Sequence, residues 1–423
     1  MTPPRNVRGP NIVRRLARAS WPAYMRRLEE VLVGQGMPSH ANIYDTDEDG
    51  FFPAPLSQDH ERATSARCYL TAEARARPNL VVMCDTRVLR ILFDGQHVTG
   101  VLVERAGART TIAAREVVLS AGGIHSPAVL LRSGIGPAED LRKLGIAVVA
   151  DRRGVGRNYQ NHPQLHFALP LKPATRMPAS QHYIMTGQRF SSGLPGFDRG
   201  DLFHYYTGRV STRSFGPRMA MLAACLYTPV SRGFVALRSA DPGIPPVVEQ
   251  CLLADPLDAK RMILSVRRAE SLLLEPAVRQ CFKEIYLMPR QAPLKLINGT
   301  GVAGVFKAVG ATAVLAAPAP LRRAVIGATI KPGRLVAAAD SIRPVSDEEI
   351  LEATGASFHP ASTCAIGAES DPLAVVDPHC RVYGVAGLRV ADASVMPKIV
   401  SANTNMPTIM IAERVAEFMR KAH

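Results

Sequence analysis

Hydrophobic and polar positions alternate with a period of two along residues 79–120, which is the pattern of half-buried β-strands. The pattern predicts four strands, at residues 79–83, 87–93, 98–104 and 110–112. Asp94-Gly95 and Ala106-Gly107 separate these runs and predict hairpin turns. A further apolar run, residues 116–120, predicts a strand that leads directly into Ala121, Gly122 and Gly123.

A helix is expected after this glycine turn. Ser126 is a residue type that caps helices, Pro127 is tolerated at a first helical position, and Gly134 is typical of a helix end. The sequence therefore predicts a strand, a glycine turn and a helix. Such an arrangement lets the backbone come close to a bound cofactor, because glycine has no side chain.

The pattern changes in the middle of the chain. Residues 21–34 predict an early helix, and the alternating runs at 164–169 and 233–238 predict an antiparallel sheet. A long amphipathic helix is predicted at residues 256–274. Near the end of the chain, a strand-like run at 387–392 precedes an apolar-periodic helix at 409–419. Together these elements predict a mixed fold with both α/β and α+β parts.

Composition places the chain among ordinary globular proteins. It has 423 residues, 47% hydrophobic and 21% charged, which is enough for two or three domains. Its seven cysteines are scattered, with no C-x-x-C pair, so we expect reduced thiols in the cytoplasm and no zinc site. The basic N-terminal stretch lacks the apolar segment of a secretory signal.

The net charge of +15 raises the question of anionic partners. Aromatic residues make up only 6% of the chain and follow no stacking pattern, so we expect no nucleic-acid partner. Residues 287–345 differ from the rest, because no acidic residue occurs between Glu284 and Asp340. Lys307, Pro318 and Pro320 interrupt the apolar run before the roughly 20 residues that a bilayer span needs. Peripheral membrane contact, a lid and a contact with a second copy of the chain are the alternatives for this segment.

Chemically informative residues concentrate near the C-terminus. His359 stands alone in Phe-His-Pro-Ala-Ser-Thr-Cys, and Asp392 ends the strand-like run. Asn403 and Asn405 come just before the last helix. A helix start offers unpaired N–H groups and about half a unit of positive charge, which suits an electron-rich ring, and an imidazole nearby is a suitable general base.

These residues carry a resemblance to a known family. The C-terminal segment resembles the signature of the glucose–methanol–choline (GMC) flavoprotein oxidoreductases, which oxidise alcohols with FAD. The residues from Glu116 to Gly136 are similar to the internal signature of that family, almost position for position. The segments 155–163 and 231–242 also recur in its members, in the same order along the chain.

The resemblance implies a function and a site. It implies oxidation of a small-molecule alcohol by hydride transfer to FAD, to an electron acceptor that the sequence leaves open, in a choline dehydrogenase-like enzyme. His359 would be the base and Asn403 would donate a hydrogen bond to the substrate oxygen, although an asparagine before a helix is also typical of a cap. Pro407 and Thr408 would present backbone N–H groups to the flavin, and Asp392 would contact its ribityl–pyrophosphate part. The full set of expected cofactor-binding residues is Val88, Ala121, Gly122, Asp392, Ala393, Asn405, Met406, Pro407 and Thr408.

The resemblance also implies a domain plan. It predicts a discontinuous, partial Rossmann-like FAD-binding domain at 67–163 and 352–423, an antiparallel-sheet substrate domain at 164–351, and an N-terminal segment at 1–66. The glycine-rich FAD cradle that begins such proteins is not found before Arg67, so the expectation is a shortened or mis-started chain. A non-catalytic remnant, or one part of a split flavoprotein, is therefore the alternative function.

Two local patterns resemble ligand-binding motifs but lack a residue that each motif needs. The glycines at 299, 301 and 304 match a dinucleotide motif, but no acid follows for the ribose. The acidic run Asp45, Asp47 and Asp49 lacks the closing glutamate of a calcium loop and predicts a solvated turn. Within the family signature, Ser362 stands where a glycine is usual.

Overall fold

The computed structural model describes residues 9–59, 61–177, 183–290, 301–330, 335–338 and 341–422. The chain forms two compact units. The first unit comprises residues 1–74, 163–226 and 256–355, and the second comprises residues 75–162, 227–255 and 356–423. Residues 227–255 thus belong with the second unit, apart from the remainder of the predicted 164–351 segment.

The described strands are short, and most lie in the first half of the chain. In chain order they are β1 (Gly50–Pro53), β2 (Thr86–Asp94), β3 (His97–Arg105), β4 (Ala108–Ala113), β5 (Val117–Leu119), β6 (Ile135–Gly136), β7 (Ala150–Asp151), β8 (Pro163–Pro170), β9 (Met185–Phe190), β10 (Leu202–Thr207), β11 (Met219–Leu226), β12 (Phe234–Ala236), β13 (Val247–Glu249), β14 (Ile285–Leu287), β15 (Leu335–Ala337), β16 (Gly355–Ala356) and β17 (Leu388–Val390).

The described α-helices range from one turn to five turns in length. In chain order they are α1 (Ala23–Gly34), α2 (Ser65–Tyr69), α3 (Ala72–Arg75), α4 (Gly122–Arg132), α5 (Ala138–Lys143), α6 (Pro256–Leu274), α7 (Pro276–Arg279), α8 (Gly301–Ala316), α9 (Ala319–Ile330), α10 (Asp347–Ala353) and α11 (Asn405–Ala422). A short 3-10 helix, Ala393–Val395, follows β17. The mixture of helices and strands confirms the predicted mixed fold class.

An antiparallel sheet forms the first unit, with described strands in the order β1-β9-β10-β11-β8-β14-β15. Helix α6 packs against β11 and β10, and its bounds confirm the helix predicted at 256–274. Arg261 on α6 is fully buried and forms ion pairs with Asp201 at 3.2 Å and Asp258 at 2.5 Å. Because a buried guanidinium is costly without partners, its pairing with Asp201, which precedes β10, holds α6 on the sheet. Asp258 lies on α6 itself and neutralises the same guanidinium from within the helix.

The second unit combines several small sheets around one core. Strands β2, β3 and β4 form an antiparallel sheet whose turns fall at the predicted Asp94-Gly95 and Ala106-Gly107 positions. Strands β5 and β17 pair in parallel, so their carboxyl ends meet at one edge. Apolar side chains of β5, α4 and β17 form the core beneath this edge, among them Leu119, Leu130 and Val390.

Three predictions for the second unit are wrong: one strand is absent, one strand joins another sheet, and one helix begins earlier. Residues 79–83 form no strand, and the side chain of Val81 is 78% exposed, because no described strand pairs with this run. The run at 233–238 forms β12, which pairs with β13 in a separate sheet instead of joining the antiparallel sheet of the first unit. Helix α4 begins at Gly122, four residues before the predicted cap at Ser126. The hydroxyl of Ser126 accepts the N–H of Ala121 from within the first turns of the helix.

The described part of residues 287–345 contains two helices, α8 and α9. Residues 299 and 300 of the glycine motif lie outside the described residues, and Gly301 begins α8. In the described part of the chain, every helix is too short or too polar to cross a bilayer.

Candidate functional site

The loop that carries His359 is hydrogen-bonded to helix α4 at a backbone carbonyl that a proline leaves without its helical donor. Pro127 lies inside α4 and has no N–H, so the carbonyl of Gly123, four residues earlier, lacks its helical donor. The hydroxyl of Thr363 donates to that carbonyl at 2.7 Å. A side chain on Gly123 would lie 2.4 Å from the carbonyl oxygen of Pro360, so this position is restricted to glycine. The loop therefore rests directly on the helix backbone.

A second segment, residues 158–162, holds the other side of the loop. Gln160 and Ala361 exchange two backbone hydrogen bonds, at 3.0 and 3.1 Å. The side chain of Asn161 accepts the backbone N–H of His359 at 2.9 Å. It also accepts the hydroxyl of Ser357 at 3.3 Å. The backbone on both sides of the histidine is thus fixed by polar contacts within the second unit.

The structure brings His359 and Asn403 together. The Nδ2 atom of Asn403 lies 3.4 Å from Nε2 of His359, and its Oδ1 accepts the hydroxyl of Tyr227 at 3.2 Å. The competing interpretation of Asn403 as a helix cap is wrong, because its side chain contacts His359 and Tyr227 instead of the helix start. The long distance between the amide and the imidazole indicates a weak bond, which a substrate oxygen could replace.

Sequence reasoning missed His162. Its Nδ1 lies 3.0 Å from Nδ1 of His359, and its Nε2 lies 3.0 Å from the carbonyl oxygen of Val400. Its ring also stacks on Tyr227, with centroids 4.5 Å apart. No spacing along the chain marks this pair, because 197 positions separate the two histidines. His162 lies in the segment 155–163, which resembles a segment of the family's members. That resemblance was the signal that could have identified His162 as a site residue.

Burial keeps both imidazoles neutral. Burial lowers the pKa of His162 to about 3, and repulsion from His359 adds to this, while the carbonyls of Val400 and Tyr227 oppose it. Burial also lowers the pKa of His359 below its ordinary 6.5. Near neutral pH the ring of His359 is therefore in the form that can accept a proton.

Asp392 lies at the carboxyl end of β17, next to the glycine turn that follows β5. Its carboxylate is buried and accepts the N–H of Gly122 at 2.8 Å, the hydroxyl of Ser126 at 2.5 Å and the N–H of Ser394 at 2.8 Å. The N–H groups of Ala121 and Gly122 thus have protein partners. Asp392 and Ala393 order the turn, and Ala393 is buried at the start of the 3-10 helix.

The start of α11 corrects one expectation. Pro407 has no backbone N–H, and the N–H of Thr408 donates to the carbonyl of Thr404 at 3.0 Å within the helix. Neither residue can therefore present a backbone donor to a flavin. The first helical residues are Asn405 and Met406, whose N–H groups precede the first i to i−4 bond of α11.

The described residues fit an FAD molecule at the edge where β5 and β17 end. Gly122 has a φ of +80° and open space where a Cβ would lie, so a ligand can approach the backbone closely there. A parallel-strand edge with a glycine turn and a helix start is typical of dinucleotide sites. Val88 lies on β2, with its side chain 39% exposed. Ala121 and Gly122 are the described groups that would border the cofactor at this edge. Asn405 and Met406 begin α11, which packs against the 3-10 helix after β17.

Ser362 is strained. Its φ of +74° lies in the left-handed region, its side chain is fully buried, and its hydroxyl has no hydrogen-bond partner among the described residues. A non-glycine residue in this region costs about 1–2 kcal/mol. The strain gives a physical reason for the glycine that is usual at this point of the family signature.

We expect Ser362→Gly to raise the free energy of unfolding by about 1 kcal/mol. The free energy gained by relieving the backbone strain and removing the unpaired hydroxyl exceeds the entropy cost of glycine. Differential scanning calorimetry of the whole chain would measure the change. Ser362→Ala is the matched control, because it removes the hydroxyl and keeps the φ strain. Equal stability of the two variants would contradict the backbone explanation.

Metal chemistry has no candidate site in the parts of the chain that the structure describes, where no three His, Cys, Asp or Glu side chains gather. In the acidic run near residue 47, the carboxylate of Asp49 accepts the N–H and hydroxyl of Ser191. All seven cysteines are free thiols.

The chain belongs to the GMC oxidoreductase family. The N-terminal profile of this family matches residues 28–164, and its C-terminal profile matches residues 229–412. The cofactor of the family is FAD, and its members are enzymes that act on CH–OH groups. The similarity thus agrees with the glycine turn, the parallel-strand edge and the imidazole–amide pair described above.

Two curated relatives and one solved structure illustrate the similarity. The chain is 35% identical to the 5-(hydroxymethyl)furfural oxidase of Methylovorus sp. (strain MP688), over 97% of this chain and 70% of that protein. It is 30% identical to the mitochondrial choline dehydrogenase of Homo sapiens, over 91% of this chain and 61% of that protein. The crystal structure of pyridoxine 4-oxidase from Mesorbium loti superposes with a TM-score of 0.75 at 22% identity, over 98% of this chain and 73% of that one. The chain therefore spans about two thirds of the length of its curated relatives.

Proposed function

We propose that this chain oxidises the CH–OH group of an alcohol in an FAD-dependent reaction, with His359 as the base and Asn403 as the donor to the substrate oxygen. The observation that carries the proposal is the contact between Nε2 of His359 and the amide of Asn403. The two groups differ in role, because a neutral imidazole nitrogen accepts a proton and an amide N–H donates without titrating.

The proposed chemistry divides between cofactor and protein. FAD, when bound, supplies the acceptor for the hydride that leaves the carbinol carbon. The substrate hydroxyl replaces the weak bond between Asn403 and His359, donating its proton toward Nε2 of His359. The amide of Asn403 then donates to the oxygen, which lowers the energy of the developing alkoxide. The proton stays on His359, and the carbon and oxygen leave as a carbonyl group.

The polar groups around His359 favour an uncharged substrate. The side chains that bond to one another here are His162, His359, Asn161, Ser357, Asn403 and Tyr227, and none of them is a carboxylate. A neutral primary alcohol such as 5-(hydroxymethyl)furfural meets no desolvated charge in this network. The ring of Tyr227 stacks on His162, so the quaternary ammonium of choline would need an acidic side chain or an aromatic face beyond these residues.

The test is anaerobic mixing of the flavin-loaded chain with either alcohol. We expect 5-(hydroxymethyl)furfural to bleach the flavin absorbance and choline to do so at least about tenfold more slowly, the ratio that one missing charge contact of about 1.4 kcal/mol gives. Flavin absorbance before mixing is the control for cofactor binding. A chain that purifies without flavin and takes up none on addition would support the alternative, a non-catalytic remnant or one part of a split flavoprotein.

A second candidate role rests on helix α8. We propose that it contacts an anionic lipid surface. Four of its apolar side chains follow helical spacing and are exposed, by 73% at Val302, 47% at Val305, 73% at Phe306 and 56% at Val309. The opposite face is buried through Gly304, Ala308 and Leu315. A helix that buries one face in the protein and exposes an apolar stripe on the other is typical of a helix that binds to a membrane surface.

The charge of residues 285–339 indicates which partner helix α8 would bind. Lys307 is exposed on α8, and the sequence between Glu284 and Asp340 contains basic residues and no acid. Arg322 and Arg323 of α9 form ion pairs with Glu284, so the charge that counts at this surface is that of Lys307. An anionic headgroup layer attracts a basic side chain near it by about 1 kcal/mol, whereas the same lysine on a second copy would repel it. Charge complementarity thus favours lipid over a second copy of the chain.

We expect Phe306→Asp to weaken binding to phosphatidylserine-containing vesicles by about tenfold or more, because insertion of one phenylalanine contributes about 1.5–3 kcal/mol. Co-sedimentation would measure the binding. Leu373→Asp, at an exposed leucine of the second unit, is the control and should leave binding unchanged. Equal binding of the wild-type chain to neutral and anionic vesicles, or a loss of dimer instead of vesicle binding in Phe306→Asp, would overturn the proposal.

A further inference from the structure

We infer that His162 is a positioning residue that fixes the tautomer of His359, so that Nδ1 of His359 carries the proton and Nε2 is left as the acceptor. The direction of the hydrogen bonds is set by the backbone carbonyl of Val400, at the far end of the pair. The catalytic meaning of this inference rests on the function proposed above. The tautomer itself is a property of the folded chain.

The first step is the proton of His162. The ring of His162 is fully buried, and none of its hydrogen-bond partners among the described residues is a carboxylate, so it is neutral and carries one N–H. Its Nε2 lies 3.0 Å from the carbonyl oxygen of Val400, which can only accept. The carbonyl of Tyr227 also favours a proton on this ring, but less than the carbonyl of Val400 does. The N–H of His162 is therefore at Nε2, because the other tautomer would set two lone pairs against each other at Val400.

The second step sets the direction of the hydrogen bond between His162 and His359. With its proton at Nε2, His162 has a bare Nδ1, and the atom 3.0 Å from it is Nδ1 of His359. A hydrogen bond between two ring nitrogens needs one donor, so Nδ1 of His359 carries the proton. The alternative direction would require a proton on both nitrogens of His162, which its burial opposes.

The neighbouring groups agree with this direction. The hydroxyl of Ser357 can donate to Oδ1 of Asn161 at 3.3 Å, and its oxygen then accepts from Nδ1 of His359 at 3.0 Å. On the other side of the ring, the hydroxyl of Tyr227 donates to Oδ1 of Asn403. This bond turns the amide N–H of Asn403 toward Nε2 of His359, which must therefore accept. Both neighbourhoods fit the same tautomer, with the single Nδ1–H of His359 shared between His162 and Ser357.

The consequence is that the base is prepared before substrate arrives. An imidazole free in water favours the proton on Nε2, which would block the nitrogen that faces Asn403. Protonation of His359 would also place an N–H against the amide N–H of Asn403. The contacts of His162 and Asn403 therefore disfavour both the Nε2–H tautomer and the protonated form of His359. Neither residue needs to touch the reacting carbon for this effect.

The test uses the full chain with ¹⁵N-labelled histidine. Long-range proton–nitrogen NMR spectra distinguish the two tautomers, and the spectra of His359→Gln and His162→Phe assign the signals. We expect Nδ1–H for His359 and Nε2–H for His162. Nε2–H at His359, or Nδ1–H at His162, would overturn the inference. This readout needs no catalytic activity, so it still decides the tautomer if the chain oxidises no alcohol.

Two replacements of His162 separate positioning from packing. Asparagine places an acceptor near the position of Nδ1, and glutamine places its amide near the position of Nε2, so His162→Asn keeps the contact to His359 and His162→Gln loses it. We expect His162→Gln to shift His359 toward Nε2–H and to lower kcat by about 10–100-fold with little change in KM, the usual effect of losing an orienting partner. We expect His162→Asn to retain the tautomer and most of kcat. Equal losses in both variants with an unchanged tautomer would show that His162 only packs.

Discussion

Replacing His359 by glutamine is expected to lower kcat for alcohol oxidation by about 10²–10⁴-fold, the contribution of a positioned general base. Glutamine has a similar reach and keeps polar contacts, but it cannot take up the hydroxyl proton. Stopped-flow measurement of flavin reduction would report the chemical step, and KM should change little because the substrate oxygen still meets Asn403. His379→Gln, at an exposed histidine of the second unit, should match the wild-type rate.

The pH dependence provides an internal check on this result. A base works only when unprotonated, so activity falls as pH decreases through the pKa of His359. Since burial lowers that pKa below 6.5, the acidic limb of kcat/KM should lie below pH 6.5 and be lost in His359→Gln. A wild-type limb above pH 6.5, or full activity of the glutamine variant, would contradict the role of His359.

Replacing Asp392 by alanine is expected to lower the free energy of unfolding by about 3–5 kcal/mol, because three donors in a buried setting lose a charged acceptor together. These donors are the N–H groups of Gly122 and Ser394 and the hydroxyl of Ser126. Chemical denaturation of the FAD-free chain would measure the loss. Because no cofactor is present in that experiment, the result reports the order of the glycine turn by itself.

Asp392→Asn and Asp371→Ala complete this experiment. The asparagine keeps one acceptor oxygen, so we expect an intermediate loss. Asp371 is exposed and only caps a local turn through the N–H of Leu373, so its replacement should change stability by about 0.5 kcal/mol. If Asp392→Ala lost less than Asp371→Ala, the carboxylate would not be what orders the turn.

Regular elements with a long, uninterrupted pattern could be predicted from the sequence. The helix at 256–274 has the predicted bounds, because its buried positions repeat at helical spacing over five turns. The hairpin turns of the β2–β3–β4 sheet were recognisable from Asp94-Gly95 and Ala106-Gly107. The start of α4 was not, since Ser126 contacts Ala121 from inside the helix and only resembles a cap locally. Residues 79–83 have the composition of a strand, but a strand also needs a partner.

Site residues could be predicted from the sequence where the residue type and its local motif indicate the role. They could not be predicted where the role depends on a contact between residues far apart along the chain. His359 and Asn403 stand out through their residue types and their place in a family-like signature. His162 and Ser357 do not, because their roles depend on contacts to one particular ring nitrogen. The donor assigned to Pro407 could have been rejected from the sequence alone, since proline has no N–H.

The proline inside α4 has a consequence for insertions and deletions. One residue along a helix corresponds to a rotation of about 100° around its axis, so moving Pro127 by a single position would release a carbonyl on another side of α4. The hydroxyl of Thr363 could not follow it. Length changes between Gly123 and Pro127 should therefore be absent from functional homologues, whereas the far end of α4 can vary in length without disturbing the histidine loop.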